Sequence, residues 1–183
     1  GENMDKNLEQ SIRELLDKQE ITEVMNRYLR GLDRLDADLI ASVYHEDATD
    51  DRGPEVSRGG AIKDFVPWCI GVLESLKSTW HQLGNVDIKL DGDIAFCESY
   101  FFAYHQIAKE TGDVDLIISG RYLDRFEKRD EVWKISHRIE VNDWTREDDS
   151  KDGWFSENPG GLRGVRGKGD LSFDHKNFYP NWN

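Results

Sequence analysis

The sequence predicts an α+β domain, and three observations carry that prediction. Apolar residues recur at helical spacing through the first part of the chain. From residue 80 onward β-branched and aromatic residues fill segments of strand length. Turn signals separate those segments: Asp91–Gly92–Asp93, Thr111–Gly112–Asp113 and Lys128–Arg129–Asp130. Helices followed by consecutive strands describe an antiparallel sheet that curves around its helices and leaves a cavity at one end.

Residues 5–33 read as helical. Leu8, Ile12, Leu15 and Leu16 form one apolar face, and Gln19–Glu20–Ile21 marks an expected break before a second helix. In that second helix Ile21, Met25 and Leu29 make a row at four-residue spacing, and the next member of the row is Asp33. A carboxylate that closes an apolar stripe faces inward and needs a partner. Asp36 or Asp38 is placed to cap a short helix with Leu39, Ile40 and Val43 inward, ending at Tyr44. The acid-rich run 45–51 is expected to be an edge strand and turn. After Gly59–Gly60 a helix is expected over 61–77, with Ile62, Phe65, Val66, Ile70, Val72 and Leu73. Strands are expected over 80–90, 94–108, 116–127 and 131–144, so the domain is expected to span 1–145. Residues 146–183 are polar and Gly-rich, yet Trp154, Phe155, Phe173, Phe178, Tyr179 and Trp182 punctuate them. That composition describes an arm packed on its own domain, on a partner subunit or over the cavity.

Composition narrows the function. A chain of 183 residues can bury one real core, and six Trp, six Tyr and eight Phe favour a packed interior or an aromatic-lined pocket. A net charge of −13 argues against non-specific binding to nucleic acid or an anionic membrane. No run is apolar and long enough to cross a bilayer, and no signal peptide is visible. Cys69 and Cys97 lack metal-ligand spacing and read as reduced thiols of a cytoplasmic protein. Neither a metal nor a cofactor is expected. Asp47, Asp50 and Asp51 read as solvated turn charges, and the late glycines lack the strand–turn–helix setting of a phosphate loop.

Trp80–His81 opens the first long strand and can supply a partner for Asp33. A histidine with an ordinary pKa near 6.5 is partly neutral at working pH and can take a proton. A buried carboxylate on one ring nitrogen fixes its tautomer and stabilises the imidazolium. The competing reading is a structural pair that ties helix to sheet. Along Glu98–Ser–Tyr100–Phe–Phe102–Ala–Tyr104, alternation puts Glu98, Tyr100, Phe102 and Tyr104 on one face, expected to be an inward aromatic wall. Arg121 alternates with Leu123 and Arg125. One of these arginines is expected inward, holding a phenolate, carboxylate or enolate, or else pairing with Asp124, Glu127 or another acid. His45, His105, His137 and His175 show no ligand-like pattern.

Four motifs occur in a telling order: Tyr28–Leu–Arg–Gly–Leu–Asp33, His81–Gln–Leu–Gly–Asn85, Gly120–Arg–Tyr–Leu–Asp–Arg–Phe126 and Val132–Trp–Lys–Ile–Ser–His–Arg138. Over residues 8–145 this order resembles the SnoaL-like branch of the nuclear transport factor 2-like superfamily. That branch includes scytalone dehydratase, bile-acid dehydratase, hexachlorocyclohexane dehydrochlorinase and polyketide cyclases. The resemblance implies a cone: a strongly bent antiparallel sheet around three helices, with a deep pocket. It also implies that Asp33 and His81 form a catalytic dyad without a cofactor. Tyr28 matches a pocket tyrosine, and Tyr104 falls where dehydratases carry a second acid or His. Arg121 matches an arginine that points into the pocket, and Asn142 stands where a dehydratase carries Arg. Tyr100, Phe102 and Tyr44 complete the candidate substrate contacts. The implied activity is β-elimination on an aromatic or polycyclic small molecule, by loss of water, of halide or of a small carbonyl fragment. The alternative is a non-catalytic binding or assembly module, such as a ring-hydroxylating dioxygenase β subunit. A homodimer or homotrimer through the convex sheet face or the arm is expected.

Overall fold

The computed structural model describes residues 2–54, 56 and 60–177. Helix α1 (Glu2–Arg34) runs unbroken for 33 residues. The expected interruption at Gln19–Glu20–Ile21 is absent, because no Gly or Pro stands there and the polar residues have outward partners. Gln19 Nε2 donates to Glu23 Oε1 at 3.1 Å, and Glu20 Oε1 accepts from the Trp133 amide at 3.0 Å. The second half of α1 buries Ile21, Val24, Met25, Tyr28, Leu29 and Leu32, as its apolar row requires. The first half leaves Leu8, Ile12, Leu15 and Leu16 exposed. Leu35, at φ 52°, turns the chain, and Asp36 caps α2 (Ala37–Ser42) by accepting from the Leu39 amide at 3.0 Å. Helix α3 (Ile62–Glu74) buries Ile62, Phe65, Val66, Cys69 and Leu73.

The sheet is mixed, curved and unclosed. Its strands are β1 (Tyr44–Asp51), β2 (Gly60–Ala61), β3 (Ser78–Asp91), β4 (Ile94–Ile107), β5 (Val114–Arg129) and β6 (Val132–Asp149), in the order β2-β1-β6-β5-β4-β3. Strands β3 to β6 form the expected antiparallel meander. Strand β1 corrects the expectation for the acid-rich run. It lies between β2 and β6, parallel to β6, and is not an edge. An irregularity in register between Tyr44 and Thr49, followed by alternation, resolves the apparent excess of acid: Glu46, Asp47 and Asp51 face out, while Ala48 and Asp50 face in. Asp50 is buried because Tyr44 Oη donates to it at 3.0 Å and Arg52 Nε at 2.9 Å.

At the centre of the core Arg138 donates to both oxygens of Asp124 at 2.7 Å. Its guanidinium lies 4.2 Å from the ring centroid of Tyr28 and 4.1 Å from that of Tyr122. Strand β6 extends to Asp149, past the expected boundary at 145, because Thr145–Asp149 pair with Val114–Ile118. The following segment, with the single-turn helix α4 (Trp154–Glu157), returns to the end of α1. Arg34 Nη1 donates to the Val165 carbonyl at 2.7 Å and pairs with Asp170 at 3.2 Å, and the Gly167 amide donates to the Arg34 carbonyl at 2.9 Å. Arg30 lies over the Phe173 ring, 4.8 Å from its centroid. Phe178, Tyr179 and Trp182 fall outside the described residues. Among the described residues no helix is long and apolar enough to cross a membrane.

Candidate active site

The last inward residue of α1 meets the first turn of β3. Asp33 Oδ1 lies 2.7 Å from His81 Nδ1, and Asp33 Oδ2 accepts from the His81 backbone amide at 2.9 Å. Thr79 Oγ1 donates to Oδ1 at 3.0 Å. Three donors compensate a carboxylate placed at the negative end of a helix dipole and out of water. Because a carboxylate accepts, His81 Nδ1 carries the proton and Nε2 is left with its lone pair. Among the described residues no hydrogen-bond partner reaches that Nε2.

The free edge of His81 lines a cavity of about 360 Å³. Leu32, Trp68, Leu73, Phe101 and Ile118 make its apolar wall, and Arg52, His105, Tyr122, Glu140 and Asn142 add polar groups. The volume suits a small organic molecule. Cys69 belongs to the wall as an apolar group, since burial pushes its thiol up to about 11. The rings of His81 and His105 meet edge to face, with centroids 5.5 Å apart. Burial, then the neighbouring His81, lowers His105 to about 4, so its ring is neutral at pH 7. Its Nδ1 lies 3.3 Å from the Leu116 carbonyl, which must accept, and this leaves Nε2 as an acceptor. Across the cavity Arg52 is fully engaged. Its Nε donates to Asp50, its Nη2 donates to Tyr28 Oη at 2.7 Å, and its Nη1 pairs with Glu140. Among the described residues no group of three or more His, Cys, Asp or Glu is placed to hold a metal ion.

The sequence profile of the SnoaL-like domain matches residues 13–139. The chain belongs to the SnoaL-like domain family. Uncharacterised proteins of Mycobacterium bovis and Mycobacterium tuberculosis are 27% identical to it over 131 residues, covering 72% of this chain and 88% of theirs. Its fold is similar to that of a proposed scytalone dehydratase from Novosphingobium aromaticivorans, with a TM-score of 0.66 and 22% identity over 88% of this chain and 99% of the other. It is also similar to a hexachlorocyclohexane dehydrochlorinase, LinA type 2, with a TM-score of 0.68 and 17% identity over 85% and 95% of the two chains. At these identities the likeness is one of fold.

Within this SnoaL-like frame the expected site residues separate into three groups. Asp33, His81 and Asn142 come together, the first two in direct contact and the third in the cavity wall. Tyr28 and Tyr44 lie behind the wall, fully buried against Arg52, Arg138 and Asp50. Tyr100, Phe102, Tyr104 and Arg121 occupy the opposite face of the sheet, which corrects the inward aromatic wall. The inward residues of β4 are Phe101, Ala103 and His105. Tyr104 Oη donates to Asp115 at 2.8 Å, and burial together with that bond pushes it up to about 12. Arg121 makes a bidentate pair with Asp143 at 2.9 and 3.0 Å and lies near Glu98, which is one of the structural pairings the sequence left open. His105, Arg52, Tyr122 and Glu140 are the polar wall residues that sequence reasoning missed.

A bulge sets the last of these placements. Ser119 pairs with Trp144 and Gly120 with Asn142, so Asp143 is the extra residue on β6. The bulge turns Asn142 into the cavity and leaves Trp144 outside against Phe102, their centroids 6.3 Å apart. A Cβ on Gly120 would stand 2.0 Å from the Val141 carbonyl oxygen, so only glycine fits here.

Proposed function

We propose that this SnoaL-like protein is a cofactor-independent lyase that acts by β-elimination on an uncharged aromatic or polycyclic small molecule in the cytoplasm. The observation that carries the reading is the 2.7 Å Asp33–His81 contact in the wall of the cavity, with His81 Nε2 unclaimed. His81 Nε2 takes a proton from the substrate, and Asp33 stabilises the imidazolium. The electron pair of the broken bond forms a double bond and expels the leaving group. The imidazolium then returns its proton to the departing oxygen, or to solvent when halide leaves. Departure of a small carbonyl fragment needs the proton taken from a hydroxyl, and His105 Nε2 supplies a second acceptor for such a group. Arg52 is matched by Asp50, Glu140 and Tyr28, which favours a hydroxyl or carbonyl over a carboxylate at that end. Asn142 provides a neutral donor and acceptor beside it.

The test is turnover on a panel of hydroxylated and halogenated aromatics. His81→Ala and Asp33→Asn each lower kcat/KM by roughly 10²–10⁴-fold with the fold retained. Full turnover by both variants on a confirmed substrate overturns the assignment. A second reading, an assembly module, draws on the outer sheet face, where Trp80, Phe96, Tyr100 and Trp144 are exposed. A homodimer or homotrimer built on that face belongs to the enzyme reading, and a separate partner chain covering it belongs to the module reading. Light scattering of the purified chain separates them, since a stable homo-oligomer formed alone favours the enzyme.

A further inference from the structure

The C-terminal arm reaches the candidate dyad from behind. Val165 and Gly167 are both hydrogen-bonded to Arg34, the residue that follows Asp33. Arg166, between them, is thereby directed at the junction of α1 and the end of α3. Its Nη1 donates to the carbonyl of Leu76, a residue of the cavity wall, at 2.7 Å. Its Nε and Nη2 are buried with no hydrogen-bond partner among the described residues.

A guanidinium with two buried nitrogens that lack partners is costly. Holding the arm does not require it, because Arg34, Asp170 and Arg30 already fasten the arm to α1. A bond to one carbonyl needs no charge. What the arrangement adds is a fixed, half-buried cation held at Leu76 of the cavity wall, behind the end of α1 that carries Asp33. Burial lowers Arg166 from the ordinary arginine value, and Asp33 is the group that most offsets that effect.

We propose that Arg166 is a positioning residue of the active centre: its charge opposes that of Asp33 and thereby sets the basicity of His81. The proposal rests on the reading of His81 as a general base. A carboxylate beside an imidazole favours the imidazolium, and an imidazolium cannot accept the substrate's proton. Several other groups face the dyad. His105 of β4 is neutral. Across the cavity Arg52, beside the end of β1, is paired with both Asp50 of β1 and Glu140 of β6. Arg34 is paired with Asp170, and Glu74, which closes α3, also acts on Arg166. On the α1 side of the ring the opposing charges are Asp33, in contact with it, and Arg166 of the arm.

The experiment needs no substrate. The imidazole resonances of the full-length, isotope-labelled protein are titrated by NMR in the native chain and in three variants. Arg166→Gln raises the His81 midpoint by about one pH unit, the scale of one buried charge at short range. Arg166→Lys keeps the charge and leaves the midpoint at the native value. Arg163→Gln, which removes an arm cation paired with Asp152, leaves it unmoved. An unchanged midpoint in Arg166→Gln overturns the proposal. So does a shift in Arg166→Lys as large as in the glutamine variant, because that result assigns the effect to packing. A dyad without catalytic function is detected separately, by full turnover in His81→Ala.

Discussion

Two of the buried carboxylates are each held by a basic side chain, Asp124 by Arg138 and Asp33 by His81, and the two pairings differ in one respect. Asp124–Arg138 is sealed: both side chains have no exposed surface, and every guanidinium nitrogen is in use, with Nη1 directed at Tyr44 Oη. Burial acts against both charges, raising Asp124 and tending to lower Arg138, but Asp124 holds the guanidinium well above its ordinary value inside a ring of tyrosines. Asp33–His81 is equally short and nearly as buried, yet one ring nitrogen is left over and it borders empty volume. Pairing and burial alone do not distinguish a working site from a clasp. An unclaimed lone pair facing a space large enough for a ligand is the difference on which the proposed function rests.

Substitution at both carboxylates is the strongest way to break that contrast. Asp124→Asn leaves Arg138 charged and unpaired in the core and costs about 3–5 kcal/mol, read as a lower urea midpoint. Asp33→Asn costs about 1–3 kcal/mol, the price of one charge-assisted bond, but abolishes most turnover. Equal losses of stability from the two would collapse the distinction. Gly120→Ala comes next, at about 3 kcal/mol, because a Cβ must displace the Val141 carbonyl across the bulge. Thermal melting measures it, and an unchanged melting temperature would mean that β6 runs past this point without the bulge.

A smaller effect follows from His105. Its folded pKa, about 4, lies below the ordinary value of 6.5, so the unfolded chain binds the extra proton first. Stability is therefore full above pH 6.5 and falls as the pH drops toward 4. In His105→Phe that segment of the stability curve flattens, as denaturation at pH 5 and pH 7 would reveal. The smallest effect is expected at Arg121, exposed on the outer face with Asp143 and Glu98. Arg121→Ala changes neither turnover nor melting temperature beyond the scatter of surface substitutions. A marked loss of turnover would move the site to the other face of the sheet.

Much of the fold was legible because hydrophobic period changes once, from helical spacing to strands, and turn residues punctuate the strands. Asp33 was legible for the same reason, as a charge on an apolar row. The β4 face was misassigned because both of its faces carry aromatic residues. Tyr100, Phe102 and Tyr104 outweigh Phe101 by size, so alternation of bulk pointed the wrong way. A signal was present in the same strand: Ala95, Cys97, Phe101 and Ala103 share one parity without a charge, whereas Glu98 sits on the other. Followed to its end, that parity reaches His105. Asp50, Arg52 and Glu140 were illegible for a different reason. Each is polar in sequence and becomes an inward residue only through partners contributed by other elements. Arg166 lies in a stretch with no periodicity, and nothing in its neighbours indicates that Arg34 anchors both sides of it.

Trp68 gives the cavity an optical handle. Its indole belongs to the wall, whereas Trp80, Trp144 and Trp154 face solvent and Trp133 is enclosed by the core. A molecule entering the cavity changes the surroundings of Trp68 alone among the described tryptophans. Emission from that indole, isolated by subtracting the spectrum of Trp68→Phe, therefore reports occupancy directly, and libraries of compounds can be screened by light before any product has been identified.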